Sequence, residues 1–235
     1  MKIGILCAGD DELAPFLPEI EGCTIQEKAM LKFYEGKLAG VQIVALYSGV
    51  CKVNAAIAAQ ILIETFHVDA VINSGTAGAI SPELDILDTV ISTKAAYHDV
   101  EPTILTEFHP WMASEFFHAD EKLIELSKAA VRGLGLPHRV VWGTMVTGEA
   151  FIEDSGRQAI RDRYAPLSVD METAAIAHVC FAYSIPFLAI RSITDTAAHS
   201  GQENFEKNCL NASKIAKDIS VALLGELRKT ADTDL

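Results

Sequence analysis

The run Phe187-Leu188-Ala189-Ile190 is apolar at every position and meets Arg191 at once. A strand with one wet face alternates apolar and polar residues; a uniformly apolar strand is covered on both faces, as in the parallel strands of layered α/β folds. Val- and Ile-rich runs of this kind recur between longer segments of helical period, the pattern of a sheet with helices packed on it. Strands are predicted at 2–8, 31–36, 41–48, 69–74, 87–98, 139–147 and 186–194, and helices at 51–66, 119–132, 154–163, 170–183 and 203–228. Leu38-Ala39-Gly40 separates two apolar strands, so residues 31–48 are expected to form an antiparallel hairpin within a mixed sheet. Asp120, Asp154 and Asn204 stand near helix starts as candidate caps. No repeat or Pro/Ser-rich linker divides the 235 residues. That length suits a single domain, here 1–230, with the polar stretch from Arg228 fraying into a tail at 231–235.

Composition removes several function classes. Charges such as Lys32, Glu64 and Asp88 interrupt each long apolar stretch before it reaches membrane-spanning length. Met1-Lys2-Ile3-Gly4-Ile5-Leu6 runs too soon into Asp10, Asp11 and Glu12 to be a secretory signal and reads as a first strand. A formal net charge of −13 repels phosphodiester backbones, so nucleic acid is excluded as a partner and neutral or weakly cationic small molecules are favoured. Cysteines 7, 23, 51, 180 and 209 make neither a CxxC pair nor a disulfide framework, which fits reduced thiols in the cytoplasm. Cys51 lies beside Lys52 at a helix start, but no histidine completes a Cys/His signature, so a small buried thiol is the simpler reading. There is no HExxH pattern, no GxGxxG and no GxxxxGK[ST]; neither a metal nor a nucleotide cofactor is expected.

Ligands of such sheets gather beyond the carboxyl ends of parallel strands. Three strand ends carry unusual polar residues: Ala8-Gly9-Asp10-Asp11-Glu12, Asn73-Ser74-Gly75-Thr76-Ala77-Gly78 and Arg191-Ser192-Ile193-Thr194-Asp195. Glu12 reads in two ways, as an acid favoured at a helix start or as a carboxylate carried inward with Leu13, Phe16 and Leu17. Gly75 and Gly78 either permit a tight turn or let backbone amides approach a ligand oxygen beside the Thr76 hydroxyl. Arg191 and Asp195 share a strand face, but roughly 13 Å of extended chain separates them, so each serves a different part of one site or of an ion-pair network. Glu172 precedes Ile176, Val179 and Tyr183 at four, seven and eleven residues, an apolar stripe that aims the carboxylate inward. A buried carboxylate needs donors, either ligand hydroxyls or Arg191.

The stretch 99–118 has no clean period and holds Phe108, Pro110, Trp111, Phe116 and Phe117. Such bulk is expected to seal a pocket and a subunit interface together.

The segments through Glu12, Asn73 to Gly78, Gly148-Glu149-Ala150-Phe151-Ile152, Val169-Asp170-Met171-Glu172-Thr173-Ala174 and Arg191 to Asp195, with Tyr97-His98-Asp99 and Phe205, together resemble the bacterial 5′-methylthioadenosine/S-adenosylhomocysteine nucleosidases. The resemblance covers nearly the whole chain. It implies a nucleoside phosphorylase-like three-layer α/β/α sandwich with a mixed central sheet, a homodimer, a small-molecule nucleoside substrate and hydrolytic release of adenine. By position, Glu12 resembles the base that activates water and Asp195 the acid at adenine N7. Glu172 and Met171 would hold the ribose, with Arg191, Thr76 and Gly78 nearby. Phe151 and Ile152 would contact adenine, Val50 and Phe205 would line the 5′-thio pocket, and Phe108 would belong to a loop closing the neighbouring subunit's site. The family usually carries Met at Gly9, Ser at Thr76, Glu at Asp170 and Gly at Cys51; Thr76 keeps the hydroxyl, while Gly9 and Cys51 leave the size of the 5′ group open. Phosphorolysis on the same fold, aminodeoxyfutalosine hydrolysis and non-catalytic nucleoside binding are the alternatives.

Overall fold

A computed structural model describes residues 1–108, 112–199 and 201–233. In chain order the elements are β1 (Lys2–Cys7), α1 (Asp10–Leu13), β2 (Glu21–Lys28), β3 (Leu31–Leu38), β4 (Val41–Tyr47), α2 (Lys52–Glu64), β5 (Ala70–Ala79), β6 (Thr89–Tyr97), α3 (Pro102–Phe108), β7 (Phe117–His118), α4 (Glu121–Leu134), β8 (Val140–Thr147), α5 (Asp154–Tyr164), β9 (Ser168–Asp170), α6 (Thr173–Tyr183), β10 (Phe187–Asp195) and α7 (Gln202–Thr233). The strands form one mixed sheet in the order β10-β6-β8-β9-β5-β1-β4-β3-β2, and β10 also pairs with β5, so five strands close a circuit at one end. β1, β4, β5 and β10 are mutually parallel along their pairings, while β3 and β4 form the expected antiparallel hairpin.

The apolar runs divide between two cores. Leu6, Val44, Val71 and Ala189 point to the layer holding α2 and α6. Ile5, Ile43, Ile72 and Ile190 point to the layer holding α4 and α7. Successive strand residues face opposite sides, so covering both faces requires the unbroken apolar pattern seen in the sequence.

Several boundaries differ from expectation. β2 is exposed at every position and shows no apolar alternation, as an edge strand with nothing packed on it would. β5 runs on to Ala79, so the glycine-containing segment is strand rather than turn. α6 begins at Thr173, not Asp170, because Asp170 ends β9 and accepts the backbone N–H groups of Glu172 and Thr173. Asp120 does cap α4 through the Leu123 N–H at 2.8 Å. Asn204 lies within α7, and Glu153, rather than Asp154, is the N-cap of α5. The polar stretch from Arg228 stays helical to Thr233. Part of 99–118 is also regular: residues 102–108 are α3, and Phe117 is buried within its own chain, stacked on His178 with ring centroids 4.6 Å apart. Phe116 packs edge-on against Tyr164. Pro110 and Trp111 lie outside the described residues.

Candidate active site

β1, β5 and β10 lie side by side and parallel, so their carboxyl ends open on one edge of the sheet. Glu12 follows β1 in the short turn α1, whose first-turn acids gain from the local dipole. Its side chain nevertheless points inward and is 5% exposed. Both readings of Glu12 therefore apply to the same residue. Oε2 accepts from the Ala8 and Gly9 N–H groups at 2.7 and 3.2 Å, and Oε1 from the Thr76 N–H and hydroxyl at 2.7 and 2.8 Å. Gly75 is what makes room: a Cβ there would fall on the Glu12 carboxyl group. Gly78 does the same for Asp195, whose Oδ2 lies 2.9 Å from where its Cβ would be. The two glycines of the Gly75-Thr76-Ala77-Gly78 segment thus admit the protein's own carboxylates.

Arg191 is completely buried and organises the next group. It donates from Nη2 to Glu172 Oε2 at 2.6 Å and from Nε to Asp170 Oδ2 at 3.1 Å, with Nη1 3.6 Å from Glu12 Oε1. Burial alone would lower its pKa, but the three carboxylates outweigh that and hold the guanidinium charged. Burial likewise opposes ionisation of Asp170, yet Arg191 and hydrogen bonds from Thr173 and Thr147 keep its pKa below the ordinary value. Glu172 goes the other way. Burial pushes it up to about 7, with Asp170 adding to the rise and Arg191 opposing it. Three carboxylates against one cation leave excess negative charge in a dry site, and the excess appears as a retained proton affinity on one member. Glu172 Oε1 also accepts the Cys51 N–H at 2.9 Å. Cys51 has φ 85° and ψ 160°, backbone angles that suit glycine.

Asp195 sits one bulge beyond Ile193 in the pairing of β10 with β5. This shift turns it away from the Arg191 group, and its partners are the Thr194 hydroxyl at 3.0 Å and Arg157 of α5. Arg157 was not singled out from the sequence, although it stands three and seven residues before Ile160 and Tyr164, the short apolar face of an otherwise polar α5.

A cavity of about 500 Å³ joins these groups. Glu12, Thr76, Gly78, Glu172 and Asp195 reach it, Met171 and Ile152 line it, and Val50 and Gly9 stand on its wall. Phe151 and Phe205 both line it and meet edge to face, with ring centroids 6.3 Å apart. Arg191 is behind the wall rather than in it and acts on the cavity only through the carboxylates it holds. Phe108, expected at the neighbouring subunit's site, stands at the end of α3 and is 78% exposed. Among the described residues no cluster of His, Cys, Asp and Glu is arranged to hold a metal ion, and no helix is long and apolar enough to cross a membrane. Glu12, Asp170 and Glu172 converge on a guanidinium instead.

The family model described as the phosphorylase superfamily matches residues 2–225. The 5′-methylthioadenosine/S-adenosylhomocysteine nucleosidase of Anoxybacillus flavithermus is 36% identical, over 97% of this chain and all of the relative. Among solved structures, the corresponding nucleosidase of Colwellia psychrerythraea in complex with adenine aligns with TM-score 0.89 at 31% identity, covering 97% of this chain and 96% of that one. The S. pneumoniae nucleosidase with the transition-state inhibitor MT-ImmA aligns with TM-score 0.87 at 30% identity, covering 97% and 100%. A mixed sheet flanked by helices, buried carboxylates lining one cavity and these full-length likenesses agree: the chain belongs to the 5′-methylthioadenosine/S-adenosylhomocysteine nucleosidases of the phosphorylase superfamily.

Proposed function

We propose that the protein hydrolyses the N-glycosidic bond of 5′-methylthioadenosine and S-adenosylhomocysteine, releasing adenine and the thioribose. The observation that carries this reading is four buried carboxylates lining one cavity, with Glu12, Asp170 and Glu172 gathered on Arg191 and Asp195 held separately by Arg157. Adenine is a poor leaving group as an anion. Asp195 delivers a proton to N7 as the C1′–N9 bond breaks, so the bonding pair leaves into a neutral base. Positive charge grows on the ribose, where the carboxylates stabilise an oxocarbenium-like centre. Glu172 accepts from the ribose hydroxyls, with Met171 beneath the sugar. Water held by Glu12 attacks C1′ and gives its proton to that carboxylate. Proton transfer of this kind contributes about 10²–10⁴ in rate.

Phe151 and Ile152 form the adenine wall, and Val50, Phe205 and the open space beside Gly9 take the 5′ group. A Cβ on Gly9 would meet nothing within 4 Å, so this end has room for more than a methylthio group. Incubating the purified protein with nucleosides that differ only at the 5′ position tests the reading. Free adenine is expected from the methylthio and homocysteinyl compounds; its absence from both would overturn it.

The working form is a homodimer. Val53 and Ile57 stand one turn apart on α2, with Val50 just before its start, and Phe181 is on α6, which packs against α2; all four are at least 43% exposed. Exposed large apolar side chains gathered on one helix pair are an interface signature. Phe108, exposed at the end of α3, is the residue assigned to the neighbouring subunit's site.

A further inference from the structure

The protein buries two arginines completely enough to require fixed partners: Arg191, and Arg157 at 2% exposure. Arg191 serves the ribose side. Arg157 projects from the first turns of α5 and bonds through Nη2 to Asp195 Oδ2 and through Nη1 to the Ala79 carbonyl at the end of β5; its Nε has no hydrogen-bond partner among the described residues. One turn on, Arg161 Nη2 donates to the Ile80 carbonyl at 2.8 Å. Two arginines therefore clamp α5 onto the strand end that flanks Asp195. The same helix start carries the base wall, since Ile152 packs on Gly156 at 3.1 Å from its Cβ position.

Stability does not explain an ion pair here. Desolvating both charges offsets their attraction, and apolar replacements of buried pairs are often neutral or stabilising. Chemistry explains it better. As Asp195 gives its proton to the purine, negative charge develops on its carboxyl group, and a guanidinium already fixed on Oδ2 stabilises that charge without reorganisation. Oδ2 accepts from Arg157, while Oδ1, which accepts from the Thr194 hydroxyl at 3.0 Å, is the oxygen that takes up a proton from water and presents it to the cavity, so the pair is ionic before that uptake and again after transfer.

We propose that Arg157 is the positioning residue for Asp195, holding the carboxyl group against adenine N7 and stabilising the carboxylate formed as the proton departs. The proposal rests on the assignment of Asp195 as the acid, and the test separates the two. Asp195→Asn, Arg157→Met and Arg157→Lys are compared on methylthioadenosine and on the same thioriboside bearing 4-nitrophenolate, a leaving group that needs no proton. Arg157→Met is expected to lose roughly 100-fold in kcat for adenine release, the low end of what general acid catalysis supplies. KM should hardly change, Arg157→Lys should recover part of kcat, and nitrophenolate release should persist. Wild-type kcat for adenine release in Arg157→Met would overturn the proposal. So would an equal loss on both substrates in a folded variant, which is the mark of a merely structural role. If Arg157→Met does not fold, Arg157→Lys decides: a loss confined to adenine release supports the role, and no selective loss refutes it. Asp195→Asn judges the underlying assignment, since it should abolish adenine release and spare nitrophenolate release. Normal adenine release there would remove the acid itself, whereas an inactive Asp195→Asn beside an unaffected Arg157→Met would remove only the arginine's part.

Discussion

Gly75 and Glu12 share one volume: a Cβ on Gly75 would occupy the space of the Glu12 carboxyl group, which is held there by four donors from Ala8, Gly9 and Thr76. Gly75→Ala must therefore displace that carboxylate or spread β5 from β1. Adenine release is expected to fall by at least about 100-fold, as for loss of a catalytic base, with a lowered Tm. Near-normal turnover would show that Glu12 need not sit where it does.

The burial of Glu172 gives a pH dependence of stability. Glu172 has an ordinary value of 4.5 and a folded value of about 7, so folding favours its protonated form. That contribution is fully present below 4.5 and is lost as pH rises through 7. Glu172→Gln keeps an acceptor for Cys51 but cannot titrate. Between pH 4.5 and 7 the Tm of the wild type is expected to decline relative to that of the variant. Parallel Tm curves across this window would contradict the burial-driven shift.

Cys51 adopts backbone angles suited to glycine while its N–H donates to Glu172. Strain of this kind costs about 1–3 kcal/mol, and glycine removes it while keeping the donor. Cys51→Gly is expected to gain about 1 kcal/mol in chemical denaturation, net of the greater freedom of glycine in the unfolded chain, with activity retained. A lower midpoint would mean that the thiol makes a compensating contact.

The exposed apolar residues on α2 and α6 predict a dimer. Light scattering should give twice the 25.4 kDa chain mass for the wild type, and Val53→Glu, which puts a charge at the most exposed of these positions, should move the mass toward 25.4 kDa. A wild-type mass of 25.4 kDa would contradict the interface.

The interior strands were legible because covering both faces forces an unbroken apolar run, as in Phe187 to Ile190. β2 was not, since an exposed edge strand such as Glu21–Lys28 leaves no hydrophobic period. Glu172 was legible as inward-facing from the stripe of Ile176, Val179 and Tyr183, although the helix starts one residue after it. Asp170 looked helical because its sequence neighbours are helix formers; only the tertiary structure shows its carboxylate capping α6 from the end of β9. Glu12 stayed ambiguous on residues alone because three adjacent acids mask which one turns in, and resemblance to the family decided the expectation. The pairing of Arg157 with Asp195 was out of reach, since the two stand 38 residues apart and meet through a bulge.

Water rather than phosphate as the nucleophile is the central claim of the proposed function, since a carboxylate in the role assigned to Glu12 would repel an attacking phosphate. The direct measurement is adenine release from methylthioadenosine with and without inorganic phosphate, with the sugar product identified. Hydrolysis predicts an unchanged rate and free methylthioribose in both; release that requires phosphate and yields the sugar 1-phosphate would contradict it.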